Sequence, residues 1–409
     1  MLDNKIVYYI ISMETQRVLV PDFYEKFTCL GGDCPDNCCK EWGQIAIDKE
    51  TYKKYKNSTS SEFAKKARTA FEPVTQADGK IDPQKAAVIV LNEHKLCPFL
   101  NPNKLCEIQQ KMGAHYLCNV CRLYPRMKAK SLNGNLEFAL FLSCIEAMGL
   151  ALLHNGKQKF IKINVDKKSE LLKSVQTFNS KRSILHSFAG DIRQSCIEIM
   201  QNEEFSIRQR IFNIADFLHS LDQAYFNDKN ADEIKQLIKE KAGTAKEINI
   251  SAEQVMLVVK AKSLRFGEFV EMIRKITGNA FGQEAADKMN GSDIYKHIAE
   301  KSEEKWQELL KSNALIFENY FVNFIFQSVF PFSYYDNLKL NMFLHAFLLM
   351  ERLELLRLFL GAYAINGEIE PGQIVKVACQ IEKTFSDGIA SAYRVLQVYS
   401  IKKPASTRR

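Results

Sequence analysis

Apolar side chains recur at intervals of three and four along most of the chain after residue 150, as in IRQRIFNIADFLHSLDQAYF (207–226) and EQVMLVVKAKSLRFGEFVEMIRKI (253–276). That period puts them on one face of an α-helix. The pattern returns at 293–311, 313–330, 337–365 and 371–400, the last with Pro371 in its first turn, where a missing N–H costs nothing. Six or seven helices are predicted there, with no convincing alternating strand and no repeat of fixed period. Before residue 150 the pattern breaks. Glycine and proline interrupt it in LGGDCP, CPFLNPNKLC and LYPR, and a polar stretch covers 56–85, so loops with short helices between them are predicted. The expected fold is mainly α: a loop-rich, cysteine-cluster N-terminal domain over 1–150, packed on an all-α helical bundle over 151–409.

The most apolar segments do not read as membrane spans. The run 320–332 is too short, and 344–360 is cut by Glu351, Arg352, Glu354 and Arg357, so both read as buried helix and no membrane partner is expected. The apolar run Ile6–Ile11 has one lysine before it and no small-residue cleavage site after it, which makes a poor signal peptide and a cytoplasmic protein the expectation. With 409 residues, 46% hydrophobic and 25% charged, the chain has the composition of a folded globular protein. Its net charge of +8 is spread along helices where lysine and glutamate alternate, apart from the tail KKPASTRR. No recognised binding motif accompanies that charge, so no nucleic-acid partner is expected.

Cysteine changes the picture. Nine of the eleven thiols lie between Cys29 and Cys144, and four of them fall within CLGGDCPDNCC. A chain this long needs no disulfides to support a core, and in a reducing compartment such a cluster reads as metal-binding or catalytic. The first box is Cys29, Cys34, Cys38 and Cys39; the second is Cys97, Cys106, Cys118 and Cys121; Cys144 follows. Sets of four thiolates suit tetrahedral zinc or an iron–sulfur cluster. Only Cys118 to Cys121 has the Cys-x2-Cys form of a zinc knuckle, which makes zinc the weaker reading. Glu41 stands where a radical-type Cys-x3-Cys-x2-Cys motif would need its third thiol. If a cluster binds, its ligands come from both boxes. Cys196 and Cys379, alone on helical apolar faces, read as buried free thiols.

The stretches FTCLGGDCPDNCCKEWGQIAIDKETYKKY, CPFLNPNKLCEIQQKMGAHYLCNVCRLYPR and FALFLSCIEA, together with FENYFVNFIFQSVFPF in the helical half, resemble the flagellin lysine-N-methylases. The N-terminal part of that family belongs to a broader cysteine-box group described as zinc- or iron-chelating. The resemblance implies methyl transfer from S-adenosylmethionine to lysine ε-amines of flagellin, with a 4Fe–4S cluster held by the cysteine boxes. By position the family thiols carry over to Cys29, Cys34, Cys38, Cys39, Cys97, Cys106, Cys121 and Cys144, four of them as direct ligands. Cys118 stands where the resemblance leads one to expect a small polar residue, and reads as extra. Ile145 follows Cys144 where proline is usual, and the first dozen residues look like an extension.

A lysine amine is a nucleophile only when neutral, and its ordinary pKa near 10.4 means that the site must desolvate it or supply a base. No G-x-G-x-x-G occurs and no alternating βα units are visible, so the common dinucleotide-type cofactor cradle is not expected. Candidate cofactor-binding residues are Trp42, Arg122, Tyr124 and Arg126 beside the thiols, and Asn319 and Asn323 in the helical half. Tyr320 and Glu318 are the candidate catalytic residues. Asn319 and Asn323 lie one turn apart in an apolar segment and need partners when buried, which internal hydrogen bonding would also supply. A second class of function is open to the same residues: a non-catalytic zinc- or iron-binding interaction module on a helical scaffold, or a metal chelator or insertase.

Overall fold

The computed structural model describes residues 14–40, 45–58, 61–76, 78–127, 130–132, 134–173, 175–241, 278, 291–332 and 342–385. Trp42, the segment expected to be helical at 253–276, and the end of the segment at 371–400 lie outside these residues. The chain forms two compact units: Phe27–Met127 with Cys144–Glu146 make one, and the remainder makes the other. The division is therefore interleaved along the chain, not a single cut near residue 150.

In the cysteine-rich unit, three short strands, β2 (Ile45–Ile47), β3 (Phe71–Pro73) and β4 (Ala87–Ile89), form an antiparallel sheet in the order β2-β4-β3. Ile45 and Phe71 both face Ile89 across it. Helices α1 (Lys49–Lys56), α2 (Ser61–Ala70), α3 (Glu107–Met112) and α4 (Asn119–Leu123) surround a small core. Aromatic rings fill that core: Tyr55 stacks on Phe71 at 5.0 Å, and Phe99 lies 5.4 Å from Phe71 and 5.6 Å from Phe63. Such rings bury a large apolar area per residue, which suits a unit with little regular structure. The thiols of Cys97 and Cys118 belong to the same core.

The other unit is mainly helical and carries a five-stranded sheet in the order β7-β1-β6-β5-β8. Its strands are β1 (Thr15–Pro21), β5 (Lys130–Leu132), β6 (Asn135–Glu137), β7 (Phe160–Asp166) and β8 (Gln176–Thr177). The antiparallel pair of β1 with β7 runs from Thr15↔Asp166 to Pro21↔Phe160. This sheet departs from the all-helical expectation for the second half. Its signal is the alternation Ile161-Lys162-Ile163-Asn164-Val165-Asp166 in β7, a run too short to outweigh the helical period around it.

Beyond α5 (Ile145–Leu152), the helices are α6 (Ile184–Ser187), α7 (Ala189–Met200), α8 (Ile207–Phe226), α9 (Ala231–Glu240), α10 (Gly291–Lys301), α11 (Glu303–Ser312), α12 (Ala314–Gln327), α13 (Met342–Asn366) and α14 (Pro371–Phe385). The segment read as one helix over 293–311 is two, parted at Ser302. Helix α13 packs against α8, α10, α11 and α14 and is apolar on all sides, the mark of a helix buried at the centre. Among the described residues no helix is long and apolar enough to cross a membrane.

The charges that interrupt α13 bind it to its neighbours. Arg352 Nε donates to Glu382 of α14 at 2.8 Å and its guanidinium stacks 3.9 Å from the Phe324 ring of α12. Glu354 accepts from Arg208 of α8 and from the Tyr295 hydroxyl of α10, and Arg357 pairs with Glu303. The Arg352–Glu382 pair is buried on both sides; such a pair adds little over an apolar contact of the same shape, but removing one partner costs about 3–5 kcal/mol. Elsewhere, Arg193 of α7 forms a buried two-point pair with Glu137 of β6 and ties helix to sheet.

Two features of α13 give measurable expectations. A Cβ on Gly361 would lie 2.6 Å from Ser302 Oγ, where α10 meets α11, so Gly361→Ala should cost about 1–3 kcal/mol in urea unfolding despite its gain in helix propensity. Asp222 of α8 accepts from the N–H groups of Met342 and Phe343 at 3.0 and 2.8 Å and so caps the start of α13. Burial pushes its carboxyl up to about 6 against the pull of those two bonds. The folded state then holds this proton more tightly than the unfolded chain. The group adds up to about 3 kcal/mol at pH values below about 4, and the contribution is lost as pH rises through 6. Thermal midpoints of the wild type should therefore gain on those of Asp222→Asn as pH falls from 7.5 to 4.5; parallel profiles would refute this linkage.

Candidate metal centre

The two cysteine boxes meet because their loops are stitched together by backbone. Cys97 N–H donates to the Cys39 carbonyl at 2.8 Å, and Lys40 pairs with Leu96 in a short bridge. Asn37 Nδ2 donates to the Lys104 carbonyl at 2.9 Å, which fastens the first box to the loop between Cys97 and Cys106. That loop is itself a tight hairpin, closed by the Leu100–Cys106 bridge and by Asn101 N–H to the Leu105 carbonyl. Glycine is required where the two loops touch: a Cβ on Gly32 would lie 2.9 Å from the Asn103 carbonyl oxygen.

Every cysteine among the described residues is a free thiol. Cys39 and Cys121 pack against the core that holds Cys97 and Cys118. The neighbouring thiols, Cys38 and Cys97 for Cys39 and Cys118 for Cys121, and then burial push these two up, while Cys97 and Cys118 are held down by Cys39 and Cys121 in turn. Burial raises Cys106 and Cys34. Cys34 interacts with Cys38 and with the exposed Cys29, so the first box runs from solvent inward to Cys39. Cys144 is half-buried and belongs to the same unit. Cys196 and Cys379 are fully buried in the helical unit, and burial pushes the Cys196 thiol up.

The donor chemistry fits a metal centre: clustered, unoxidised sulfurs, with an inner set of Cys39, Cys97, Cys106, Cys118 and Cys121 in one core. No three His, Cys, Asp or Glu side chains among the described residues converge closely enough to hold a single ion. A cluster is gripped at its corners, so its ligands lie further apart than those of one ion.

A carboxylate that sequence reasoning passed over fixes part of this set. Asp48 caps α1, with Oδ1 accepting from Thr51 N–H at 2.9 Å and Oδ2 accepting from the Thr51 hydroxyl at 2.9 Å. Oδ2 also accepts from the N–H of Asn119, the residue after Cys118, at 3.0 Å. Burial alone would raise this carboxyl, but the Thr51 and Asn119 bonds outweigh it and hold it below the usual range. The pattern IDKET signals a helix cap; a bond spanning 71 positions has no local signal.

The other candidate residues are placed as follows. Arg122 Nη2 donates to Asn119 Oδ1 at 2.6 Å, Tyr124 closes α4, and the Arg126 guanidinium lies 5.1 Å from the Phe27 ring. In the helical unit, α12 divides its candidates between two faces. Asn319 Oδ1 accepts from Gln158 N–H at 3.0 Å and Asn319 Nδ2 donates to the Gly156 carbonyl at 3.3 Å. Asn323 Nδ2 donates to Gln158 Oε1 at 3.1 Å, while Gln158 Nε2 donates to Asp22 at 2.7 Å. These amides clamp the loop before β7. Tyr320, 1% exposed, turns the other way and donates to Glu382 Oε1 at 2.6 Å. Glu318 accepts from Arg210 Nη1 at 2.6 Å, and burial raises its carboxyl above the usual range despite that partner.

Comparison with known proteins adds a second line of observation. The sequence model for the FliB lysine N-methylase C-terminal domain matches residues 193–400, just over half of the chain. A lysine-N-methylase of Salmonella typhimurium is 30% identical over 134 residues, which are 33% of this chain and 32% of that protein. The flagellar biosynthetic protein FliU of Salmonella muenchen is 31% identical over 134 residues, covering 33% of this chain and 76% of that one. A lysine-N-methylase of Salmonella choleraesuis is 30% identical over the same length, again 32% of the relative. The matched segment thus spans about a third of the two methylases. No solved structure matches the chain.

The loop clamp predicts its own test. Asn319→Leu removes both partners of the buried Gln158 N–H and Gly156 carbonyl contacts and should cost about 2–4 kcal/mol in urea unfolding, whereas Asn319→Asp, which keeps the acceptor, should cost less.

Proposed function

The chain belongs to the FliB lysine N-methylase family, and from that we propose that it transfers methyl groups to lysine ε-amines, with flagellin as the protein substrate and S-adenosylmethionine as the donor. The observation that carries the reading is the match of the family's C-terminal domain across residues 193–400. The flagellar name of one relative supports flagellin, and the gathering of thiols from both cysteine boxes in one core supports a thiolate-held centre, which we read as a 4Fe–4S cluster. When bound, the cofactor supplies an electrophilic methyl sulfonium and the cluster an electron-rich iron–sulfur anchor.

What the chain must do follows from the amine. The substrate lysine has to lose its proton before it attacks, and the displacement at carbon then needs in-line placement more than acid–base power. The candidates on α12 enter this proposal as residues that shape the helical unit. Tyr320 has its hydroxyl committed to Glu382, and Glu318 is 2% exposed and held by Arg210. In the cysteine-rich unit Arg126 is the candidate counter-ion for a cofactor carboxylate, since its guanidinium rests on Phe27 with no ion pair among the described residues.

Incubating the anaerobically purified chain with flagellin and S-adenosylmethionine should add mass to flagellin lysines in one-methyl steps, at a rate that rises between pH 7 and 9 as more amine is neutral. Flagellin that gains no methyl groups at any pH overturns the reading and favours the metal-binding interaction module. Arg126→Met should raise the cofactor KM by about 10-fold or more if the guanidinium pairs with the carboxylate.

A further inference from the structure

We propose that Cys118 and Cys121 together supply two of the ligating thiols in this chain, and that Asp48 is the positioning residue that sets their turn. The inference rests on the metal-centre reading above and departs from the ligand set that family resemblance implies, in which Cys118 is extra.

Cys118 stands just before α4 in extended backbone, and Cys121 lies in the first turn of that helix. Residues three apart across a helix start share a face, and Cys118 and Cys121 both pack in the same aromatic core. Cys118 is 1% exposed and sits in the aromatic core of the unit, in the same cluster as Cys97 and Cys106. A spare thiol kept only for packing would need none of these neighbours. Cys29, by contrast, is exposed at the outer end of its box.

Asp48 holds the turn without being a donor to a metal. Its two oxygens already accept three hydrogen bonds, and the one from Asn119 N–H falls on the residue next to Cys118. The bond therefore fixes the backbone between the paired sulfurs, as the outer partners of metal ligands commonly do. Binding is not a redox step: each sulfur that joins the metal releases its proton to solvent as the metal–sulfur bond forms.

Two substitutions separate positioning from plain stability. Asp48→Asn leaves a carbonyl oxygen to cap α1 through Thr51 N–H but turns an amide donor toward Asn119 N–H. Thr51→Val removes only the hydroxyl bond. Full-length wild type, Cys118→Ser, Cys29→Ser, Asp48→Asn and Thr51→Val would be purified without oxygen, and iron and sulfide measured per folded chain. Metal-free samples would then be titrated with Cd²⁺ alone, reading the thiolate-to-cadmium absorption. The expected result is that Cys118→Ser holds less than a tenth of wild-type iron and absorbs less per bound Cd²⁺, and that Asp48→Asn weakens Cd²⁺ binding by about 10–100-fold. Cys29→Ser and Thr51→Val should match the wild type in both measurements. Wild-type iron content and Cd²⁺ absorption in Cys118→Ser would overturn the proposal while leaving the metal-centre reading intact. A wild type that lacks iron but loses its Cd²⁺ absorption on Cys118→Ser would sink the cluster and sustain the ligand assignment.

Discussion

One backbone hydrogen bond, from Cys97 N–H to the Cys39 carbonyl, decides whether the cysteines act as two groups or one. Fifty-eight positions separate the two residues in the chain, and without this contact the boxes would be independent loops. The bond cannot stand alone, since a single backbone pair contributes only about 1 kcal/mol. It holds because the Lys40–Leu96 bridge, the Asn37 amide and the closeness permitted by Gly32 bring further contacts to the same seam. The aromatic core beneath supplies the apolar burial that offsets the entropy of ordering so much loop.

The helical unit solves a different problem. Its central helix is apolar all round yet carries two glutamates and two arginines within seven residues, each of them costly to bury unpaired. The surrounding helices provide partners for three of them: α14 and α12 for Arg352, α8 and α10 for Glu354, α11 for Arg357. Directional pairs select one rotation and one register of α13 among neighbours whose apolar surfaces would accept several. Asp222 does the same at its start by taking up the first two N–H groups.

Much of this was legible in the sequence where the signal is local. The helical period located α8, α12, α13 and α14, and Pro371 marked the first residue of α14. The mainly α fold follows from those segments. The sheet β7-β1-β6-β5-β8 was not foreseen, because three of its strands have three residues or fewer and pairing of that kind is set by distant partners. Spacing points to the two cysteine boxes acting together if a cluster binds, and the fold does bring them together. The place of Cys118 is not legible there: resemblance by position treats it as surplus, whereas the fold buries it in one core with Cys121, Cys97 and Cys106. Asn319 and Asn323 were rightly marked as polar groups needing partners; that the partners are Gln158 and Gly156 is information held in three dimensions.

The cysteine-rich unit is discontinuous along the polypeptide, ending at Met127 and resuming for Cys144–Glu146 after strands that belong to its neighbour. During synthesis its ninth thiol therefore leaves the ribosome only after β5 and β6 have been made. The loops carrying the first eight can gather earlier, but a metal that uses Cys144 must wait for the chain to come back. A fragment cut after Met127 would be short of one of the unit's nine sulfurs however well it folded.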